Sequence, residues 1–170
     1  MTKLYLTRHG ETVDNANQIM QGQTQGQLNE TGRRQAAQLR EQLSGVSIDV
    51  IVSSDLNRAV ETAEIVAEGR GLAVVTTPLL RERDWGSFTG RYIPDLKGEV
   101  WPDDIETQEA LLRRAGECLC YLREHYAGKT VLAVGHGIIN KAIQAVYYGK
   151  QMNEIERMTN CEVRRLVVQG

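Results

Sequence analysis

The tightest constraint on this chain is the way its short apolar runs stop. Lys3-Leu4-Tyr5-Leu6-Thr7 ends abruptly in Arg8-His9-Gly10, and Thr130 to Val134 ends in Gly135-His136-Gly137. Short apolar, β-prone runs bounded by glycine read as strands buried on both faces. Further runs at Ile48 to Val52 and Ala73 to Thr76 are separated from these by stretches of helical period. Strands alternating with helices at this spacing call for an α/β fold. The expected architecture is three-layered, a mostly parallel sheet with helices on both faces.

The helical stretches have legible ends. Asn29-Glu30-Thr31 opens one whose apolar positions Ala36, Leu39 and Leu43 keep helical spacing, and Ser44-Gly45 closes it. A second follows Ser53-Ser54-Asp55, where Asp55 or a neighbouring serine reads as the N-cap. It carries Ala59, Ala63 and Val66 inward and stops at Gly69-Arg70-Gly71. The longest runs from about Ile105 to Tyr126, with Leu111, Ala115, Cys118, Leu122 and Tyr126 on one stripe and Asp103 and Asp104 at its start. Its Glu109, Arg113, Arg114 and Glu117 read as a solvated face, and His125 as a surface residue suited to the helix dipole. Ile138 to Tyr147 follows the fourth strand, and Val163 to Val168 alternates as a final edge strand. Two stretches lack period: the Gln-rich Asp14 to Gln27, read as a surface loop near the site, and Leu79 to Trp101, read as an irregular cover over it.

At 170 residues the chain is expected to be one domain, 1–170, burying about 70% of the surface its unfolded form exposes. A net charge of −2 gives no polybasic footprint for nucleic acid or anionic membrane. No segment approaches the roughly 20 apolar residues of a membrane helix. Met1-Thr2 passes straight into the first strand without an apolar signal core. Cys118, Cys120 and Cys161 form no Cys-x-x-Cys pair, and an odd number fits free thiols in a reducing compartment. A cytoplasmic location is expected; composition is silent on oligomeric state.

The functional signal is positional. One strand ends in Arg8-His9, another just before Arg58, and a third in His136. A parallel sheet sets those ends on one edge, where ligands bind in open α/β folds. Glu82 would arrive from the irregular cover, and helix N-termini behind Asp55 and His136 would add free N–H groups. Two arginines and two histidines at one edge suit a phosphate. Arginine forks hold phosphoryl oxygens bidentately and stay charged. A neutral imidazole attacks phosphorus and divides one hard displacement into two easier ones. A carboxyl group then protonates the leaving oxygen and activates water for the second step. Most of the barrier lowering must come from positioning and charge at the phosphoryl oxygens.

These segments resemble the histidine phosphatase superfamily, the phosphoglycerate-mutase-like fold, in its branch of compact phosphatases. The carriers are Arg8-His9-Gly10-Glu11-Thr12, Ser53-Ser54-Asp55-Leu56-Asn57-Arg58-Ala59 with Thr62-Ala63, Leu80 to Gly86, and Val134-Gly135-His136-Gly137. Arg-His-Gly alone is a weak signal; four segments in order along nearly the whole chain are a strong one. The resemblance implies His9 as the phosphorylated nucleophile and Glu82 as the proton donor. Arg8, Arg58 and His136 would hold the phosphoryl group, with Asn15 a further contact. Gln21 and Gly22 align with a substrate-contacting pair, and Trp85 is a weaker substrate candidate. Neither a metal nor another cofactor is implied.

The departures bear on substrate. Gln25 and Gln27 stand where the family often has Asp and Pro, and Ile138 where the mutases usually show Asn. The segment between Gly90 and the long helix is short, whereas mutases carry a longer cover that keeps water from the phosphoenzyme. The expected activity is therefore a metal-independent phosphohydrolase of small phosphorylated metabolites. A cofactor-dependent phosphoglycerate mutase and a non-catalytic phosphate-binding module are the alternatives. A nucleotide-binding domain fits less well, since no glycine-rich phosphate loop follows the first strand.

Overall fold

The structure, a computed structural model, describes residues 1–170. Its five strands are β1 (Thr2–Arg8), β2 (Val50–Ser54), β3 (Val74–Thr77), β4 (Thr130–Gly135) and β5 (Val163–Val168). They form one sheet in the order β3-β2-β4-β1-β5. All neighbours are parallel except β5, which runs antiparallel to β1 on the edge. The mostly parallel α/β sheet is as expected.

The layers follow from side-chain alternation along the central strands. Val131 and Ala133 of β4, with Leu4 and Leu6 of β1, face a core completed by helices α4 (Gln108–His125) and α5 (Gly137–Tyr148). Leu132 and Val134 face the other way, onto α2 (Glu30–Gln42) and α3 (Asn57–Ala67), which bring Ala36, Leu39, Ala59, Ala63 and Val66. Both faces of β4 are thus apolar and covered, which is why its sequence is a continuous apolar run.

Register is what positions the site. In the β1–β4 pairing Arg8 lies opposite Gly135, and in the β2–β4 pairing Ser53 lies opposite Val134. The three strands therefore stop nearly level. His9 donates its backbone N–H to Gly135 O at 3.1 Å, so the residue after each strand is held beside its counterpart. Glycines make the turn beyond β1 possible. A Cβ on Gly32 would lie 2.0 Å from Glu11 O, and one on Gly10 would lie 2.5 Å from Gly32 O. Only two bare Cα atoms let the loop rest on the start of α2.

Several local expectations are corrected. The polar loop contains a one-turn helix, α1 (Val13–Ala16), closed by a reciprocal Thr12–Asn15 capping box. Strand β2 begins two residues later than read, because Ile48 packs beneath it with Leu43 rather than joining the ladder. Asp55 does not cap α3: it is drawn away by a bidentate pair with Arg81, 2.7 Å for each bond. Leu56 is the N-cap, and Gln25 Oε1 accepts from Asn57 N instead. Asp104 does not open α4 but accepts from Ser87, while Thr107 caps the helix through Ala110 N. Arg114 does not belong to a solvated face; its side chain is largely buried against Glu106.

Candidate active site

His9 sits at the end of β1 with its ring almost wholly enclosed. Its Nδ1 lies 2.7 Å from Gly10 O, which can only accept, so Nδ1 is the protonated nitrogen. Nε2 then carries the lone pair. Burial, followed by the charges of Arg58 and Arg8, holds the His9 pKa well below its ordinary value. The imidazole is neutral at pH 7, the form a nucleophile requires. Asn160 Nδ2 donates to His9 O at 2.9 Å and fixes the backbone from the opposite side.

His136 follows β4, its ring 5.0 Å from that of His9 at an interplanar angle of 61°. Its Nε2 contacts Ser54 Oγ at 2.8 Å, at the end of β2. Ser54 Oγ also accepts from Leu56 N at 3.1 Å, which ties this hydroxyl to the start of α3. The Nδ1 of His136 is buried without a partner. Burial and then the Arg58 charge keep His136 neutral as well.

Arg58, in the first turn of α3, is 1% exposed. Its Nη2 donates to Gly22 O at 2.7 Å and its Nη1 to Thr24 O, which ties the polar loop across the site. Arg8 Nη1 donates to Met158 O at 3.0 Å. The Nε atoms of both arginines are buried and unpartnered, two donors without an acceptor at one site. Burial is the main cause that lowers each guanidinium to about 10, still fully charged at neutral pH.

Glu82 is held where free helix donors were expected. Its Oε1 accepts from Arg83 N (2.9 Å), Ile138 N (3.2 Å) and Ile139 N (3.0 Å), so the N-terminus of α5 is closed by this carboxylate. Oε2 shares only the Ile138 N–H, at 3.2 Å, and is the less engaged of the two oxygens. The N-terminus of α3 is likewise taken, by Gln25 Oε1 and Gln25 O. The expectation of free helix N–H groups is corrected on both counts. Neither arginine flanking Glu82 pairs with it: Arg81 holds Asp55, and Arg83 donates to Glu106 O and lies over the rings of Trp85 and Trp101.

A cavity of about 280 Å³ brings together Arg8, His9, Asn15, Arg58 and Glu82, with Gln21, Gly22 and Trp85 also on its wall. His136, its ring 5.0 Å from that of His9, is not among the residues on that wall. Asn15 accepts through Oδ1 from Thr12 N, and its Nδ2 donates to no protein group. Gln21 is buried and accepts from Thr12 Oγ1, so it braces the loop as well as lining the cavity. Two residues went unnoticed in the sequence, Arg157 and Asn160. Both lie on the segment before β5, and no motif or period marks them.

The model of the histidine phosphatase superfamily (branch 1) matches residues 4–170. The chain belongs to the histidine phosphatase superfamily. As a member of that superfamily it is a phosphatase-class enzyme. It is 40% identical over 141 residues to an uncharacterized phosphatase, PhoE, of Bacillus subtilis (strain 168), covering 81% of this chain and 72% of the relative. It is 35% identical over 182 aligned positions to a probable phosphoglycerate mutase, GpmB, of Klebsiella pneumoniae (strain 342), covering 98% and 85%. The solved structure of a mycobacterial glucosyl-3-phosphoglycerate phosphatase in complex with VO3 superposes with a TM-score of 0.89 at 27% identity, covering 97% and 92%. No helix of this histidine phosphatase superfamily member is long and apolar enough to cross a membrane.

Proposed function

We propose that the chain is a metal-independent phosphohydrolase of small phosphorylated metabolites, acting through a phosphohistidine on His9. The observation that carries this is the tautomer of His9. Its Nδ1–H is spent on Gly10 O, which directs the Nε2 lone pair to a site flanked by the unpartnered Nε atoms of Arg8 and Arg58. The phosphoryl group would take those donors and the Nδ2 of Asn15, with His136 a further contact from beside His9. Nε2 attacks phosphorus, the ester P–O bond breaks, and the proton from Glu82 Oε2 goes to the leaving oxygen. Water then attacks the phosphohistidine, Glu82 takes its proton, and phosphate leaves with His9 neutral again. Gln21, Gly22 and Trp85 would contact the leaving group from the far side of the cavity. A cytoplasmic setting suits small-metabolite substrates and the three free thiols.

A second reading, phosphoglycerate mutase, is favoured by the GpmB similarity. It differs in one respect that can be measured, transfer of the phosphoryl group back to substrate instead of to water. The deciding experiment is a screen of phosphorylated metabolites in EDTA with wild type and His9→Ala. It includes 3-phosphoglycerate with and without bisphosphoglycerate. Phosphate release lost in His9→Ala supports the phosphohydrolase. Isomerisation without release transfers the reading to the mutase, and no turnover of any ester sinks both.

A further inference from the structure

One cation near the cavity has no role in the chemistry just described. Arg157 is exposed on the segment between α5 and β5, and it makes no hydrogen bond to the protein and no ion pair. It lines the 280 Å³ cavity and also an open outer cleft of about 460 Å³. The two spaces share Arg8, Asn15, Ile93 and Arg157, so Arg157 stands where the phosphoryl pocket widens toward solvent. The esterified part of a substrate must leave through such an opening.

The packing at this junction is unusual for two cations. A Cβ on Gly137 would lie 3.3 Å from Arg157 Nε and Nη2 and 3.5 Å from Arg8 Nε. Both guanidinium groups therefore converge on one bare Cα, and Arg8 Nε is buried there without an acceptor. Arg157 also opposes the charge on Arg8, second only to burial. Glu82, on the inner wall, offsets part of the strain on Arg8 but pairs with neither cation. Like charges brought together therefore raise the energy of the empty site, and an anion that touches both relieves it. Glu11 is the one carboxylate on the outer cleft, and its Oε2 accepts from Asn29 Nδ2 at 3.2 Å. A single phosphoryl group on His9 engages Arg8 and Arg58. Arg157, on the outer side, is positioned for something else.

We infer that Arg157 is a specificity-determining residue that receives a second anionic group, a carboxylate or a further phosphate, carried on the leaving group of the substrate. This rests on the phosphohydrolase reading for the first anion but adds a preference that reading does not require. Monoesters with an uncharged leaving group would bind through the phosphoryl contacts alone.

The test is calorimetric binding to the non-turning-over His9→Ala protein, with and without Arg157→Gln. Matched ligands are 3-phosphoglycerate against glycerol 3-phosphate, and fructose 1,6-bisphosphate against fructose 6-phosphate. A charge-assisted bidentate contact is expected to give the doubly anionic member of at least one pair about tenfold tighter binding. The pair that responds identifies carboxylate or phosphate. Arg157→Gln should cut the preference to within about twofold and leave the singly anionic ligand unchanged, while Arg157→Lys keeps part of it. Equal weakening of both members by Arg157→Gln overturns the inference, since Arg157 would then grip the reacting phosphoryl group. So does the absence of any preference in His9→Ala, or of binding by all four ligands. Turnover of either ester by wild type in EDTA reports separately on the phosphohydrolase reading.

Discussion

Arg114 and Glu106 grip each other through two hydrogen bonds, Nη2 to Oε1 at 2.8 Å and Nε to Oε2 at 3.0 Å, directly beneath the segment that carries Glu82. Arg114 also donates to Leu79 O at 3.1 Å and Arg81 O at 2.6 Å. A helix residue that reads as solvated is thus the clamp for the segment carrying Glu82, the proposed proton donor. Removing it leaves Glu106 largely buried without its countercharge. Arg114→Met is expected to cost about 3 kcal/mol of stability. It should also lower kcat more than it raises KM, because it disturbs Glu82 and touches no ligand. Urea unfolding with steady-state kinetics on the same preparation checks both; a loss of stability with kcat intact would separate the clamp from catalysis.

Glu82→Gln should fold with almost unchanged stability, because the amide oxygen can still accept from Arg83 N and Ile139 N. It cannot shuttle a proton. Turnover of alkyl phosphates should fall by about 10²–10⁴, and that of p-nitrophenyl phosphate, whose leaving group needs no proton, by much less. Equal losses on both substrates would assign Glu82 a role other than acid.

His9 and His136 are buried and neutral, with folded pKa values held well below the ordinary 6.5 by burial first and then by Arg58. Below pH 6.5 the unfolded chain binds protons that the folded chain refuses, so stability falls as pH falls. Between pH 7 and pH 5 the loss is up to about 2 kcal/mol per histidine. His9→Gln should remove about half of that dependence. Chemical denaturation at the two pH values measures it, and an equal dependence in the variant would contradict the assignment.

Gly32→Ala places a methyl group 2.0 Å from Glu11 O, where the opposing atom is backbone and cannot swing away. The loop after β1 must lift, and His9 with it. A destabilisation of about 2–3 kcal/mol is expected, with a drop in kcat/KM that an alanine at Gly45, where nothing lies within 4 Å, does not produce. Thermal melts and kinetics on the two variants make the comparison.

Much of this was legible from the residues. Each apolar run that ends in glycine and a charged or ring side chain became a strand end at the site, because parallel strands share an edge and their registers leave little freedom. Cys118 was readable as core from its helical stripe and is fully buried. Asp55 was misread because its capping propensity is weak beside a bidentate guanidinium, and Arg81 lies 26 residues away. Arg114 was misread because charge on a helix usually means solvent, and only the fold shows Leu79, Arg81 and Glu106 gathered over it.

By itself, the sequence determined the strands, their buried faces and the edge at which Arg8, His9, Arg58 and His136 meet. Those features depend on local period, glycine punctuation and the handed connections of a parallel sheet, all written in neighbouring residues. The tertiary structure alone decided the tautomer of His9, the closure of α5 by Glu82, and the arrival of Asn160 and Arg157 from the far end of the chain. The Glu82 and Asn160 contacts join groups 56 to 151 residues apart, a distance no local pattern encodes. The tautomer of His9 depends on the ring orientation that brings Nδ1 to the neighbouring Gly10 O, which the residue types alone do not specify.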